Sequence, residues 1–376
     1  MRKILHVITG LNQGGAEAVL YKICEETKDK FSHSVISLTD KGFLSKKFES
    51  LNIPVYAINF RNFIFIPFLV IRLYKLIKIQ QPDVVQTWMY HADFFGGVAA
   101  KIAGVSSIIW NIRGPLNPKK TNLETHLLAR ICAIISRWVP YKIVSCSEYA
   151  AKVHLGLGYM ANKLIIIPNG YKIPDLNELN VTTLTPKTNK LAVVGMIARY
   201  DPYKDHKSLL MALKFVKQER IDFRCLLAGS EIDNDNSDLM NLIRSANLEN
   251  NIELLGLQKN VNEIIEKLDI HILSSVDEAF PNVVAESMAM GVPNVCTNVG
   301  DAALIVGGLG WIVEPGKPTD LANAILEAIN EKEKPEWVFR KKQCRQRIAE
   351  HFSMEKMCNR YSNLWKKNNI KSIWET

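Results

Sequence analysis

Two carboxylates frame a short stretch in the second half of the chain. Residues 278–286 read "EAFPNVVAE" and follow the apolar run "IHILSS", so Glu278 is predicted to lie on a loop between a strand and a helix. Pro281 suits the first turn of that helix and Gly291 suits its end, which puts Glu286 inside the helix. The two carboxylates are therefore not an ordinary i,i+4 surface pair, and we expect them to reach different ends of one ligand.

The predicted start of this helix is a candidate anion site. The first N–H groups of a helix lack partners within the helix, and the helix dipole favours negative charge there. We expect free N–H groups at Asn282, Val283 and Val284. A phosphate bound there leaves a nucleoside ribose beside Glu286, while Glu278 reaches the group on the other side of a diphosphate. The alternative is a pair of solvent-facing glutamates, because so short a motif also arises by chance.

A second loop carries two cations. It lies in "GMIARYDPYKDHKSLLMAL", where Arg199 and Lys204 are five positions apart with Pro202 between them. The two side chains can converge, Arg199 as a fork and Lys204 as a point charge for a diphosphate. Asp205 is the candidate N-cap of the next helix. A solvated basic loop is the alternative interpretation.

A glycine-rich loop follows the first predicted strand. In "TGLNQGGAEA", Gly14 and Gly15 precede a helix, which lets main-chain N–H groups approach a phosphate. The spacing differs from G-x-G-x-x-G, and Asp40 follows the second strand only loosely, so a nicotinamide enzyme is disfavoured. A plain tight turn is the alternative.

The totals indicate a two-domain globular protein without a metal site. The chain has 376 residues, 47% hydrophobic and 23% charged. Its seven cysteines form no C-x-x-C pair, so neither a disulfide framework nor zinc is predicted and a cytoplasmic location is favoured. We find no signal-peptide pattern and no apolar run long enough for a membrane span.

Short β-branched runs alternate with helical stretches in both halves of the chain. This alternation predicts an α/β fold of two facing Rossmann-like, doubly wound parallel-sheet domains. Ligands of such sheets bind beyond the carboxyl ends of the strands, where the loops above lie. The predicted parts are a first Rossmann-like domain, a threonine-rich linker, a second Rossmann-like domain and a C-terminal segment: 1–171, 172–190, 191–355 and 356–376.

Taken in order, these motifs resemble those of glycosyltransferase family 4, retaining enzymes of the GT-B fold with two Rossmann-like domains. The resemblance covers nearly the whole chain and is specific in the order of its motifs. It is carried by "GGAE", R-x-x-x-x-K, E-x7-E with "AMGVPNVCTNVGD", "VSCSEYAAK" and "IIIPNG".

The resemblance implies a role for each matched residue. Glu278 contacts the donor sugar and supports the reacting centre, and Glu286 holds the ribose. Arg199 and Lys204 stabilise the departing diphosphate. It also implies a metal-independent hexosyltransferase type of enzyme, no cofactor, a nucleotide-sugar donor expected to be UDP-linked, and front-face attack with retention. By the same resemblance, 1–171 is the acceptor-side domain, 191–355 binds the nucleotide sugar, and 356–376 forms a helix that returns to the first domain.

Two departures from the family pattern concern the site. Many relatives have glycine where this chain has Ala279. Many also have a histidine after the strand that reads "SSIIWNIRG", where this chain offers Asn111 and Arg113. His91 in "TWMYHADFF" is a further candidate for contact with donor or acceptor, or it is a structural histidine.

The basic excess lies in the first half of the chain. Residues 1–170 contain 21 Lys and Arg against 10 Asp and Glu, a net charge of +11, whereas residues 171–376 carry 26 against 28. In a predicted helix Arg72, Lys75 and Lys78 share one face, which suits an anionic membrane surface or an ordinary crossover helix. We expect a peripheral protein on the inner face of the cytoplasmic membrane and a lipid-linked or oligosaccharide acceptor in bacterial surface polysaccharide synthesis, such as lipopolysaccharide or capsule.

Other function classes fit parts of the sequence. A GT-B phosphorylase, a sugar-nucleotide epimerase or a non-catalytic membrane-associated subunit would share the fold. Nucleic-acid binding fits only the charge, because the chain contains none of the usual recognition motifs.

Overall fold

The computed structural model describes residues 1–12, 14–60, 66–117, 121–174 and 191–367, excluding the side chains of residues 66 and 67. The chain forms two compact units. The first comprises Met1–Asn169 together with the segment that begins at Glu355, and the second comprises Gly170–Met354. Most of the predicted linker, 175–190, and the end of the predicted final helix, 368–376, lie outside the described residues.

The first unit is built on a parallel sheet with the strand order β3-β2-β1-β4-β5-β6-β7. The central strand β1 pairs with β2 and β4, and its last five residues are fully buried, because both faces of a doubly wound sheet are covered by helices. The strands are β1 Arg2–Ile8, β2 Phe31–Ser37, β3 Val55–Ala57, β4 Val84–Trp88, β5 Ile108–Ile112, β6 Lys142–Ser145 and β7 Leu164–Ile166.

Helices connect these strands as crossovers. A π-helix at Ala92–Gly96 interrupts the connection between β4 and β5. The α-helices are α1 Gly15–Thr27, α2 Ser45–Ser50, α3 Ile66–Gln80, α4 Met89–His91, α5 Gly97–Ile102, α6 Leu123–Ile135 and α7 Glu148–Gly156.

The second unit contains a parallel sheet with the order β10-β9-β8-β11-β12-β13. Its strands are β8 Ala192–Ile197, β9 Phe223–Ala228, β10 Ile252–Leu254, β11 Ile270–Leu273, β12 Asn294–Thr297 and β13 Trp311–Val313. Its helices are α8 His206–Gln218, α9 Ser237–Ser245, α10 Asn262–Ile265, α11 Asn282–Ala289, α12 Ala302–Val306, α13 Pro318–Lys332 and α14 Trp337–His351.

The final helix α15, Met354–Trp365, carries the chain back to the first unit. Trp365 is fully buried there, and its indole Nε1–H donates to Gln86 Oε1 on β4 at 2.6 Å. Its ring meets Phe31 edge to face at 5.0 Å. The predicted fold class, with two doubly wound sheets and a returning helix, is confirmed.

Candidate functional site

The loop after β8 presents Lys204 through a short, tightly bonded turn. Pro202–Lys204 forms a 3₁₀ turn, and the Asp201 carboxylate accepts the Tyr203 N–H at 2.9 Å to cap it. Asp205 then adopts a left-handed conformation with φ 50°, and its side chain accepts the Ser208 N–H at 3.1 Å. Asp205 is therefore the N-cap of α8, as predicted, and Lys204 precedes it on the loop.

Lys204 meets Glu278 at the carboxyl edge of the second sheet. The Lys204 Nζ donates to Glu278 Oε1, and the Ser275 hydroxyl donates to the same oxygen at 2.9 Å. The Lys204 and Glu278 side chains are 21% and 15% exposed, so the ion pair lies at the surface of the loop cluster and stays accessible to a ligand. Two residues 74 positions apart in the sequence are thus brought into direct contact.

Backbone bonds fix the two loops against each other. The Ser274 hydroxyl donates to the Lys204 carbonyl at 2.8 Å, and the Val276 N–H donates to the Tyr203 carbonyl, also at 2.8 Å. Ser274 and Ser275 were not predicted as site residues, although "SS" directly after a buried strand is a usable signal. Their bonds preorganise the ion pair, because neither loop can shift without breaking a partly buried hydrogen bond.

Arg199 is held by another partner. Its Nε and Nη2 donate to Asp201 Oδ2 at 2.9 and 2.7 Å, and its side chain is 57% exposed. Gly229 lies directly beneath this loop, and a Cβ there would stand 2.8 Å from the Arg199 main-chain nitrogen. The Arg199 guanidinium therefore lies toward solvent on Asp201, while Lys204 binds Glu278.

The helix α11 begins where the sequence predicted. Pro281 is its N-cap, Glu278 lies on the preceding loop, and Glu286 lies within the helix and is half-buried. One prediction is wrong: the Val284 N–H is not free, because it donates to the Pro281 carbonyl at 3.1 Å in a tightened first turn. The donor-binding assignment of Val284 therefore loses its basis, whereas Val283 remains partly exposed.

Asn282 and the loop after β12 complete this edge of the sheet. Asn282 Oδ1 accepts the Tyr171 hydroxyl at 2.5 Å. Gly300, with φ +53°, packs so closely that a Cβ would lie 2.6 Å from the Glu278 carbonyl oxygen. Glycine is required at this position by both conformation and space, and it holds the Glu278 backbone in place. Ala279 is buried in the same turn, so the departure from glycine at this position is accommodated.

Two buried histidines flank the Lys204 loop. Burial, reinforced by the Lys204 charge, lowers the pKa of His206 to about 4. Burial also lowers the pKa of His271 to about 4, and the His271 Nδ1–H donates to Asn294 Oδ1 at 2.7 Å. Both rings are therefore neutral at neutral pH, and Lys204 carries the positive charge on this side of the sheet.

In the first unit, the glycine loop turns into α1 at Gly14. Gly14 is the N-cap in an extended conformation and Gly15 is the first helical residue. A Cβ on Gly14 would stand 2.3 Å from Glu17 Oε2, so a side chain there would collide with the Glu17 carboxylate. Burial raises the pKa of Glu17, and the charge of Arg113 partly offsets this.

Asn111 and Arg113, the candidates to replace the family's histidine, have different environments in the structure. Asn111 is fully buried, and its carboxamide exchanges hydrogen bonds with the Tyr361 hydroxyl at 3.1 and 3.3 Å. Its side chain therefore joins β5 to α15. Arg113 is partly exposed, with its guanidinium carbon 5.6 Å from the centre of the Trp88 ring. Burial lowers the pKa of His91, which lies at the end of α4.

Comparisons with known proteins agree with this arrangement. Residues 13–173 match the family described as Glycosyltransferase Family 4, and residues 189–331 match the family described as Glycosyl transferases group 1. The UDP-Gal:alpha-D-GlcNAc-diphosphoundecaprenol alpha-1,3-galactosyltransferase of Escherichia coli is 24% identical over 307 residues, 78% of each chain.

Two solved structures share the fold over nearly the whole chain. A glycosyltransferase from Rickettsia africae superposes with a TM-score of 0.83 at 22% identity, covering 97% of this chain and 98% of its own. Alr3699/HepE from Anabaena, solved in complex with UDP, gives 0.82 at 20% identity, covering 97% and 100%. The fold is therefore GT-B.

The protein belongs to the glycosyltransferases, with a family 4 domain followed by a group 1 domain. This confirms the resemblance read from its motifs.

Proposed function

We propose that the protein moves a sugar from a UDP-sugar to a lipid-linked acceptor in bacterial surface polysaccharide synthesis, with retention at the anomeric carbon. The contact between Lys204 and Glu278 carries this proposal. A cation for the leaving diphosphate and a carboxylate for the sugar meet at the carboxyl edge of a parallel sheet, where ligands of this fold class bind.

Lys204 supplies charge stabilisation during departure of the leaving group. Breaking the bond between the sugar and the diphosphate builds negative charge on the phosphate oxygens. A preorganised cation beside those oxygens stabilises the transition state more than the ground state. Glu278 orients the Lys204 ammonium before the donor binds, and Arg199 adds a second, more exposed cation.

We assign nucleotide binding to α11. The helix begins with Asn282 and Val283 on the loop side, and a phosphate at this end is favoured by the helix dipole. Glu286 lies one turn later on the helix, where its carboxylate can accept from both ribose hydroxyls. The UDP complex of the structurally similar Anabaena protein supports uracil as the base.

Retention follows in this proposal from front-face attack. The acceptor hydroxyl approaches the sugar from the same side as the departing diphosphate and passes its proton to a phosphate oxygen. This geometry needs no carboxylate nucleophile. It also needs no metal ion or other cofactor, because Lys204 and Arg199 supply the positive charge that a divalent cation would otherwise provide.

A lipid-linked acceptor is supported by the E. coli relative, whose name specifies a diphosphoundecaprenol substrate. The surface of α3 is consistent with this choice. Phe68, Ile71 and Ile79 are 69%, 50% and 73% exposed, and the cations at positions 72, 75 and 78 are exposed on the same helix. A helix with exposed aromatic, aliphatic and basic side chains suits the surface of an anionic bilayer. Among the described helices, none combines the length and apolar character needed to cross a membrane.

Product analysis tests the proposed activity. The purified chain is incubated with UDP-sugars and undecaprenyl-diphosphate-linked saccharides in the presence of EDTA, and products are detected by mass and their anomeric configuration by NMR. We expect UDP release coupled to an α-linked product from an α-linked donor. Turnover that requires inorganic phosphate, interconversion of the donor without acceptor, or an inverted product would contradict the proposal.

A further inference from the structure

We propose that Arg113 binds a diphosphate oxygen of a substrate, and that a buried hydrogen-bond relay positions it through Trp88. The relay consists of Trp88, His6, His33 and Thr27, all in the first unit. This inference rests on the proposed function, because the diphosphate belongs to the nucleotide donor or to the acceptor of that reaction.

The relay has one direction, fixed from both ends. Thr27 donates its only hydroxyl proton to the Ile23 carbonyl at 2.6 Å, so its oxygen must accept from His33 Nε2 at 2.9 Å. At the other end, the Trp88 indole can only donate, and it lies 3.4 Å from His6 Nδ1.

These two ends assign the tautomers in between. His33 carries its proton on Nε2, so its Nδ1 accepts from His6 Nε2 at 3.1 Å. His6 therefore carries its proton on Nε2 and accepts the Trp88 indole N–H on Nδ1. Burial lowers the pKa of His6 far below the usual range and that of His33 to about 4, which keeps both rings neutral and the relay intact.

The same histidines lie near Cys24 at a spacing that suggests a metal site, with ligand atoms within 4.8 Å of one another. The relay argues against that interpretation. If a metal occupied His6 Nε2, the proton would move to Nδ1, where it would oppose the Trp88 N–H. Burial also raises the pKa of the Cys24 thiol, which opposes the thiolate that a metal needs.

Trp88 connects the relay to Arg113, because the relay orients its indole ring and the ring contacts the guanidinium. Because its Nε1–H is fixed by His6, the indole plane has one orientation, and the Arg113 guanidinium carbon lies 5.6 Å from the ring centre. Asn169 Oδ1 accepts from Arg113 Nη2 at 2.6 Å, which restricts rotation of the guanidinium over the ring. The aromatic ring and the amide together hold the guanidinium without neutralising it.

Two nitrogens of Arg113 remain without a partner among the described residues. Nε and Nη1 are shielded from water and make no hydrogen bond there, although the residue as a whole stays partly exposed. Glu17 acts on Arg113 only through space, since no ion pair joins them. The Nε–H and Nη1–H groups lie on different edges of the guanidinium, so each can donate to one oxygen. A phosphate oxygen is the acceptor that such a cation favours. A neutral Asn111, already bonded to Tyr361, does not supply this charge.

Calorimetric titration of the full chain tests the proposal and separates the two sources of the diphosphate. In the donor experiment, UDP is titrated into the protein. In the acceptor experiment, inorganic pyrophosphate is titrated in the presence of saturating UDP. We expect Arg113→Gln to weaken binding about tenfold or more in one of the two experiments, and Arg113→Lys to weaken it less. Arg130→Gln, which removes an exposed cation of the same unit, is the matched control and should bind as the parent does.

A double-mutant cycle tests the positioning role of Trp88. We expect Trp88→Leu to weaken the same ligand several-fold in the parent and not at all in the Arg113→Gln background. Trp88→Phe retains a ring but loses the bond to His6, and it should fall between the parent and Trp88→Leu. Circular dichroism of each variant establishes that it is folded, and Trp88→Phe serves for the cycle if Trp88→Leu is unfolded.

Unchanged affinity of Arg113→Gln in both titrations would overturn the proposal. So would an equal loss from Trp88 substitution with and without Arg113, since that result indicates a general structural effect. Binding needs no turnover, so the two hypotheses fail separately. Sugar transfer with no dependence on Arg113 overturns only this inference, whereas Arg113-dependent UDP binding without transfer overturns only the proposed function.

Discussion

The two units hold their loop cations in different ways. In the second unit, Lys204 contacts Glu278 and Arg199 contacts Asp201, so each cation already has a carboxylate partner. In the first unit, Arg113 lies over the Trp88 ring and donates to the Asn169 amide, and neither partner carries a negative charge. An anionic ligand must therefore compete with a carboxylate in the second unit, but not at Arg113.

This difference separates two requirements of the proposed reaction. A cation that already has a carboxylate partner can exchange it for a phosphate and return to it when the product leaves, which suits a leaving group that must be bound and released. A cation held by an aromatic ring keeps its full charge and has a fixed position, which suits orientation of a substrate. The net charge of the two halves, +11 in the first and −2 in the second, agrees with this difference, because cations of the first half have fewer carboxylates available as partners.

The largest effect is expected from Lys204. Lys204→Ala removes a charge that acts in the transition state, so kcat should fall by roughly 10²–10³, comparable to the loss of one preorganised donor. Arg199→Ala should cost only about tenfold, because solvent already screens its exposed guanidinium. Steady-state kinetics with the active donor measures both, and Lys207→Ala on exposed α8 surface is the control. A near-normal kcat for Lys204→Ala would remove the second unit's ion pair from the mechanism.

The next effect concerns the charge on the surface of the first unit. Replacing Arg72, Lys75 and Lys78 by Gln should weaken binding to anionic vesicles by up to ~3 kcal/mol, about a hundredfold at low salt. Co-sedimentation at increasing salt measures the loss. The matched control replaces three other exposed cations of the same unit, Arg130, Arg137 and Lys152. Equal losses in the two triple variants would show that net charge, and not the α3 face, directs the protein to lipid.

Glu286 tests nucleotide binding in the second unit. Glu286→Gln keeps the shape of the side chain but replaces charge-assisted hydrogen bonds to the ribose by neutral ones, so UDP affinity should fall roughly tenfold. Calorimetry with UDP measures this effect, and Glu249→Gln on the exposed surface of the same unit is the control. Deoxyuridine diphosphate should bind more weakly than UDP to the parent, and the difference should be smaller in Glu286→Gln. If the difference between the two nucleotides is the same in the variant as in the parent, the carboxylate does not bind the ribose.

The smallest effect is the share of the pH dependence of stability that comes from the relay. The pKa of His33 is about 4 in the folded protein and 6.5 when unfolded, so the unfolded chain binds a proton first and stability is lost as pH falls below 6.5. Between pH 7 and 6 this loss is about 0.7 kcal/mol, roughly threefold in the protection of β1 amides after correction for intrinsic exchange. His33→Gln should reduce the loss in β1 by the share of His33, leave the share of His6 in place, and leave β9 unchanged. The same slope in β1 of the variant would assign the loss to other groups.

The sequence predicted the fold well because buried parallel strands are short continuous apolar runs. The β-branched runs of the sequence, six in each half, all correspond to strands. Among the strands of the described residues, β7, within "IIIPNG", is the one that was not predicted. Glu278 and Lys204 were identified because each follows a predicted strand and because the motifs that contain them occur in a specific order along the chain. Hydrogen-bond partners were not predictable from the sequence. The bond between His6 and His33 joins strands β1 and β2, and the bond between Asn111 and Tyr361 spans 250 positions. Periodicity carries no information on such pairs, and it also gave no sign that the first turn of α11 tightens at Val284.

The return of α15 to the first unit affects the order in which the protein folds during synthesis. The ring of Trp365 covers the relay, with centroids 6.0 Å from His6 and 5.4 Å from His33. During synthesis the first unit leaves the ribosome early, but this covering residue is made only after the whole second unit. The nascent first unit therefore exposes an aromatic and imidazole surface for about half of the time of translation. At 5–20 residues per second, the 196 positions between Gly170 and Trp365 correspond to roughly 10–40 seconds, a window in which a chaperone can bind that surface.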